Sequence, residues 1–216
     1  MQHVLVIGAH GQVGSLLTDK LHAASDFTPV ALIRKPEQAD DFEKKGVEAR
    51  VASLEDTVES LARHMKGIDA VVFTAGSGGN TGADKTLTID LDGAVKAMEA
   101  ANSTGVNRFV LVSALFTGDR DKWPDEMKPY YVAKHYADRM LEQSGLDYTI
   151  VRPGTLKNEA GTGKIDTARP GAEPRDVPRE DVASVIVEVL GNRTSIGKVI
   201  EFSRGETRIA DAVAAL

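Results

Sequence analysis

The chain of 216 residues contains no cysteine, which excludes disulfides, thiolate nucleophiles, cysteine-bound zinc and iron–sulfur clusters outright. Histidine is scarce as well: His3, His10, His22, His64 and His135 show neither HxxxH nor HExxH spacing, so no metal site is expected. Aromatic residues make up only 5%. A basic surplus is also lacking, since 26 Lys plus Arg stand against 32 Asp plus Glu, a formal charge of −6. Domains that bind nucleic acid by neutralising phosphates carry the opposite balance, so nucleic acid is not an expected partner. No run approaches the roughly 18 apolar residues of a membrane span. The apolar run from Val4 to Ile7 is too short for a signal-peptide core and lacks a basic start. A cytoplasmic protein without membrane contact is the expectation.

What is present is ordinary globular material, 42% hydrophobic and 27% charged, enough for one well-filled domain spanning residues 1–216 at about 150 residues per domain. Short runs rich in Val, Ile and Phe recur at His3–Ile7, Pro29–Ile33, Val47–Val51, Ala70–Phe73, Arg108–Val112, Tyr148–Val151 and Lys198–Phe202. Most are apolar without alternation, as in strands covered on both faces of a parallel sheet. Helical spacing lies between them, as in Val13, Leu16, Leu17 and Leu21. The alternation predicts an α/β fold: a doubly wound parallel sheet with helices on both faces. Helices are expected over Ser15–Ala24, Glu55–Lys66, Arg179–Leu190 and Glu206–Leu216, and the charged run Glu37–Lys45 reads as a solvated helix face. The stretch Pro153–Pro178 holds four of the eight prolines and reads as a loop on the substrate side.

The first expected strand runs directly into Gly8-Ala9-His10-Gly11-Gln12-Val13-Gly14 and then a helix. A dinucleotide site needs one glycine for the tight turn, one for backbone approach to the pyrophosphate and one for helix-on-strand packing. The helix N-terminus then offers unpaired N–H groups to the phosphates. A plain strand-to-helix turn also favours small residues. Arg34, 20 residues beyond Gly14, ends the second strand where an NAD-preferring fold places an acid on the ribose. It predicts NADP over NAD, unless Arg34 and Lys35 only solvate the strand end. Ser53 and Leu54 fall where the chain would pass the adenine ring.

A second glycine-rich turn, with Ala75 and Gly76, follows the fourth strand at the carboxyl edge, where open α/β folds bind ligands. Ser113 follows the fifth strand at the same edge. Tyr130 and Lys134 lie 17 and 21 residues further on, four apart and hence on one helix face. A phenol of pKa about 10 needs a nearby cation to act near neutrality, and Lys134 is placed to lower it. Ser113 would orient a substrate oxygen while Tyr130 moves the proton. Trp123, Tyr131 and Phe116 either line a substrate pocket or serve as packing anchors. His135 reads as a surface residue, and His10 as a possible phosphate contact.

Through Gly8-x-x-Gly11-x-x-Gly14, Ala75-Gly76, Ser113, Tyr130-x-x-x-Lys134 and Arg152-Pro153-Gly154, the sequence resembles the short-chain dehydrogenase/reductase superfamily. It is most similar to the short atypical branch with NmrA-like and flavin-reductase-like members. The resemblance implies a Rossmann fold, a nicotinamide cofactor and catalytic positions at Ser113, Tyr130 and Lys134. It also implies that Lys134 holds the nicotinamide ribose and that the backbone at Pro153 lies near the nicotinamide amide. Two departures stand out: Asp90 or Asp92 occupies the neighbourhood of the family's helix asparagine, and little chain is left for a substrate domain. The expected function is an NADP(H)-dependent oxidoreductase acting on a small carbonyl or similar acceptor. An NADP-sensing regulatory protein and a flavin-type reductase with an open pocket are the alternatives. An oligomer is compatible with all three.

Overall fold

A computed structural model describes residues 1–79, 81–168 and 175–216. Seven parallel strands form the body of the sheet: β1 (Gln2–Ile7), β2 (Phe27–Ile33), β3 (Glu48–Val51), β4 (Ala70–Phe73), β5 (Arg108–Val112), β6 (Asp147–Pro153) and β10 (Lys198–Arg204). Their spatial order is β3-β2-β1-β4-β5-β6-β10. β1 therefore lies between β2 and β4, and the connections wind away from it in both directions. Such a reversal leaves a crevice outside the carboxyl ends of the strands.

Alternation within the buried strands feeds two separate cores. Val4 and Val6 of β1 face one side, with Leu17 and Leu21 of α1 (Gln12–Ala23) and Val182, Val185 and Val189 of α7 (Arg179–Gly191). Leu5 and Ile7 face the other, with Leu61 of α3 (Val58–Arg63), Ala97 and Met98 of α5 (Gly93–Thr104) and Leu141 of α6 (Lys128–Gln143). A strand apolar on both faces satisfies two helix layers at once, which is why these runs show no polar alternation. α5 carries small side chains inward, at Ala94, Ala97, Ala100 and Ala101, so its backbone comes close to the sheet. It ends at Gly105, whose φ of 75° closes the helix in the left-handed conformation.

Several expected boundaries shift. The helix expected over Ser15–Ala24 begins three residues earlier, at Gln12, because the glycine turn itself starts the helix. That expected over Glu55–Lys66 contracts to α3, whose N-cap Thr57 accepts the Ser60 N–H at 3.2 Å. The charged run at Glu37–Lys45 becomes a 3₁₀ turn (Pro36–Gln38) and α2 (Ala39–Glu43), and Phe42 within it is buried in the first core. The carboxyl-terminal segment begins as β11 (Thr207–Arg208) before α8 (Ile209–Ala214).

The Pro153–Pro178 stretch is not a plain loop. It carries β7 (Thr155–Lys157), β8 (Lys164–Asp166) and β9 (Asp176–Pro178), while its residues 169–174 lie outside those described. β8 adds to the sheet antiparallel to β10 and β11, and β7 pairs with β9. Asp181, buried at the start of α7, anchors the segment by accepting the Thr162 and Gly163 N–H groups, each at 2.9 Å. Between β4 and α5 the chain forms a short α4 (Ala83–Lys85) and then seven residues of π-helix, Thr86–Asp92. No helix among the described residues is long and apolar enough to cross a membrane.

Candidate active site

The turn after β1 has no room for a side chain at Gly8 or Gly14. A β-carbon on Gly14 would sit 2.2 Å from Gly8 O, and one on Gly8 would meet the Ala75 backbone at 2.7 Å. Gly8 also holds φ at +84°, a conformation that favours glycine. The Gly11 N–H bonds Gly8 O at 2.9 Å, and α1 starts with no side-chain cap. The first N–H groups of a helix lack intrahelical acceptors, so Gln12, Val13 and Gly14 present donors at a positive helix end. This cradle fits a pyrophosphate, in both shape and donor chemistry.

A cleft of about 340 Å³ opens from the cradle along the carboxyl edge. Gly8, His10, Gly11, Arg34, Ser53, Leu54, Ala75 and Gly76 all line it. Val13 and Gly14 lie buried behind its wall, and Gln12 is exposed at the helix start. Arg34 is exposed and makes no ion pair or hydrogen bond among the described residues, and Gln38, not an acid, lines the cleft beside it. His10 turns toward Asp41, 3.9 Å away. At the far wall Lys85 and Glu55, absent from the residues expected here, form a 2.7 Å ion pair.

Further along the same edge lie Ser113, Tyr130, Lys134 and Pro153, outside that cleft. Ser113 leaves β5 with its N–H bonded to Val151 O at 2.8 Å. Pro153, at the end of β6, is buried and accepts the Leu115 N–H at 2.9 Å. Tyr130 and Lys134 lie on α6, which opens with Pro129 in its first turn. Lys134 is buried, and its ammonium donates to Val112 O at 2.7 Å, one residue before Ser113. Burial pulls the Lys134 pKa below its usual value, opposed by Asp90 and Asp138. The structure thus joins Lys134 to the end of β5.

Two buried carboxylates complete the region. Asp138, one turn beyond Lys134, accepts from Ser113 Oγ at 3.0 Å and from Arg152 Nε at 3.0 Å. Arg152 continues to Glu201 at 3.1 Å. Asp90, on the π-helix, accepts the Ser77 N–H at 2.9 Å, while Asp92 is turned outward to Lys96. Asp90, not Asp92, therefore belongs to the site. Burial raises the Tyr130 phenol above its usual range, and Asp90, Tyr131 and Asp138 push it the same way. The expected lowering by Lys134 is not found: burial of the phenol sets the direction, and Asp90, Tyr131 and Asp138 add to it. Asp138 was legible as the third step of a Tyr130, Lys134, Asp138 series spaced by four along one helix face. Asp90 and Glu55 had no local signal of that kind.

Trp123 and Tyr131 pack against each other, while Phe116 borders a hollow. Trp123 stacks on Tyr131 with ring centroids 5.9 Å apart, and its indole donates to Phe116 O at 3.0 Å. Neither lines the second hollow of about 670 Å³, which Phe116 borders together with Arg152 and Glu201. Phe116 holds φ at 68°, an unusual conformation for a bulky residue. His135 is half-buried and meets Thr117 O at 3.0 Å, so it is not the free surface histidine expected. Among the described residues no cluster of three acidic or histidine side chains is arranged for a metal.

Comparison with known proteins places this geometry. The model of a family described as NAD(P)H-binding matches residues 8–193. A Bacillus subtilis protein named "Uncharacterized sugar epimerase YhfK" is 47% identical over 210 residues, covering 97% of this chain and 98% of that one. A solved Bacillus halodurans structure, assigned in name to the NAD-dependent epimerases/dehydratases, superposes over all of both chains with a TM-score of 0.93 and 43% identity. The oxidoreductase ylbE of Lactococcus lactis follows at a TM-score of 0.90 and 37% identity, covering 100% of this chain and 96% of that one. The chain belongs to the NAD(P)H-binding family and carries a Rossmann-like α/β fold.

Proposed function

We propose that the protein is an NADP(H)-dependent oxidoreductase that reduces a small carbonyl or similar acceptor. The observation that carries the proposal is a single carboxyl edge. It holds a glycine cradle with an uncapped helix end and, two strands along, Tyr130 with the buried Lys134. The nicotinamide dinucleotide, when bound, supplies the hydride. The cradle of Gly8, Gly11 and Gly14, with the donors of Gln12 and Val13, holds its pyrophosphate. Ser53 and Leu54 flank the adenine, and Ala75 and Gly76 give the backbone clearance between the halves. Arg34 meets the 2′-phosphate, since a planar guanidinium suits that anion and no acid at the end of β2 competes for it. Lys134 would hold the ribose at the catalytic end, and the backbone at Pro153 would meet the carboxamide. Tyr130, its phenol protonated in the neutral range and raised further by burial, would give its proton to the oxygen of the acceptor.

Ser113 favours a second reading. Its hydroxyl is directed to Asp138, so reduction of a flat conjugated acceptor that needs no hydroxyl donor also suits the site. Two variants test the proposal, and the second separates these readings. Titration with NADPH and NADH, read by thermal shift, is expected to show NADPH affinity falling about tenfold or more in Arg34→Ala, with NADH affinity unchanged. Equal affinity of wild type and variant for NADPH overturns the phosphate assignment. Tyr130→Phe is expected to lower turnover of carbonyl acceptors by roughly 10²- to 10⁴-fold while NADPH still binds. Undiminished turnover favours the flat acceptor. Tight NADPH binding with no turnover of either class marks a regulatory sensor, and interconversion of isomers without net NADPH consumption marks an epimerase.

A further inference from the structure

The oxygens behind Ser113 share fewer protons than their contacts call for. Ser113 Oγ lies 3.0 Å from Asp138 Oδ2 and 3.3 Å from Thr117 Oγ1. Thr117 spends its own hydroxyl proton on Ala114 O. A serine hydroxyl owns one proton and two lone pairs, so Ser113 is the sole donor available to both neighbours while Asp138 is ionised. A carboxylate outcompetes a hydroxyl for that proton, because charge-assisted hydrogen bonds are the stronger. Asp138 itself is incompletely satisfied: Oδ2 takes Ser113 and Arg152, but Oδ1 is buried with no partner among the described residues. An unpaired buried carboxylate oxygen favours protonation.

We infer that Asp138 is a positioning residue that sets whether the Ser113 hydroxyl donates to a bound acceptor or only accepts from it. The inference rests on the proposed role of Ser113 as the residue that meets the acceptor. With Asp138 ionised, the Ser113 proton points to the carboxylate, and only lone pairs remain for a ligand. With the proton of Asp138 on Oδ2, the oxygen that faces Ser113, the carboxyl donates to Ser113. The serine proton is then free for an acceptor's carbonyl oxygen, against the weaker competition of Thr117. One proton, exchanged with solvent at Asp138, changes the hydrogen-bond sense of Ser113.

The charged and titratable groups that bear on Asp138 come from four elements. Lys134 and Tyr130 share its helix, and Arg152 reaches it from β6 with Glu201 of β10 behind. Asp90 acts from the π-helix on the same Lys134 and Tyr130. Burial of Asp138 raises its carboxyl above the usual range even against the pull of Arg152, Ser113 and Lys134.

Two measurements test this, one without turnover. Carbon NMR titration of the Asp138 carboxyl is expected to give a higher midpoint in Ser113→Ala than in wild type, because the lost hydroxyl donor favoured the ionised form. An unchanged midpoint overturns the inference. In steady-state assays, kcat/KM for a small carbonyl with NADPH is expected to fall about tenfold or more as pH rises through that midpoint. The limb should vanish in Asp138→Asn and persist in Glu201→Gln. A limb that survives in Asp138→Asn overturns the inference. Should that variant fail to fold, Ser113→Ala must itself remove the limb. A shifted midpoint with no carbonyl turnover upholds the proton arrangement and overturns the small-carbonyl reading alone.

Discussion

Gly14 has backbone where a side chain would go: its β-carbon would overlap Gly8 O at 2.2 Å. Relief requires α1 to move off β1, and a forced shift in a close-packed interior costs about 1–3 kcal/mol. Gly14→Ala is therefore expected to unfold at lower denaturant concentration by that amount and to lose NADPH binding, measured by urea melts and titration. This residue was legible in the sequence because a tight turn restricts residue type locally. The same holds for Gly8 and Gly11, and for Tyr130 and Lys134, whose spacing alone puts them on one face. The expected direction of the Tyr130 pKa was not recoverable. It depends first on how far tertiary packing buries the phenol and then on Asp90, 40 residues earlier in the chain. Spacing identifies a neighbour on the same helix but not the sum of charges around it.

The connection between β4 and α5 shows the same limit one level up. Seven residues of π-helix, Thr86–Asp92, lead into α5, and no feature of the local sequence signals them. A π segment is rare and clusters at functional sites, since it turns side chains away from their α-helical positions. Here Asp90 is buried beneath the Gly76 turn, where its carboxylate would lie 3.0 Å from a β-carbon on Gly76. Thr88 Oγ1 ends up buried with no hydrogen-bond partner among the described residues. An orphaned buried hydroxyl costs about 1–3 kcal/mol, and valine preserves the shape without it. Thr88→Val is expected to raise stability by about 1 kcal/mol, read as a higher melting temperature with cofactor affinity unchanged. A lower melting temperature would show that the hydroxyl is satisfied. The three-residue strands β7, β8 and β9 escaped notice for a related reason. A strand that short carries no periodicity, and each exists only because another edge is there to pair with it.

At the scale of the molecule, the sheet order converts scattered motifs into one site. The turns after β1, β2, β4, β5 and β6 open at the same carboxyl edge, with the glycine cradle, Arg34 and Ala75-Gly76 in the cleft and Ser113 and Pro153 further along the edge. At the opposite edge Arg108 closes the structure. Buried at the start of β5, it donates to Asp147 O and Val189 O at 2.8 Å each, and burial lowers its pKa to about 10. It ties β5, β6 and the end of α7 together through carbonyls instead of a carboxylate. The amino-acid sequence by itself determined the parallel strands, the cradle and the Tyr130–Lys134 pair, because apolar runs, glycine stereochemistry and helical repeat act over a few residues. Only the tertiary structure decided that Asp90 and not Asp92 enters the site, and that Ser113 answers to Asp138. It alone set Tyr130 as a raised, protonated phenol. Burial and partner geometry set the energy of a charge, and both arise only when elements distant in the chain pack together.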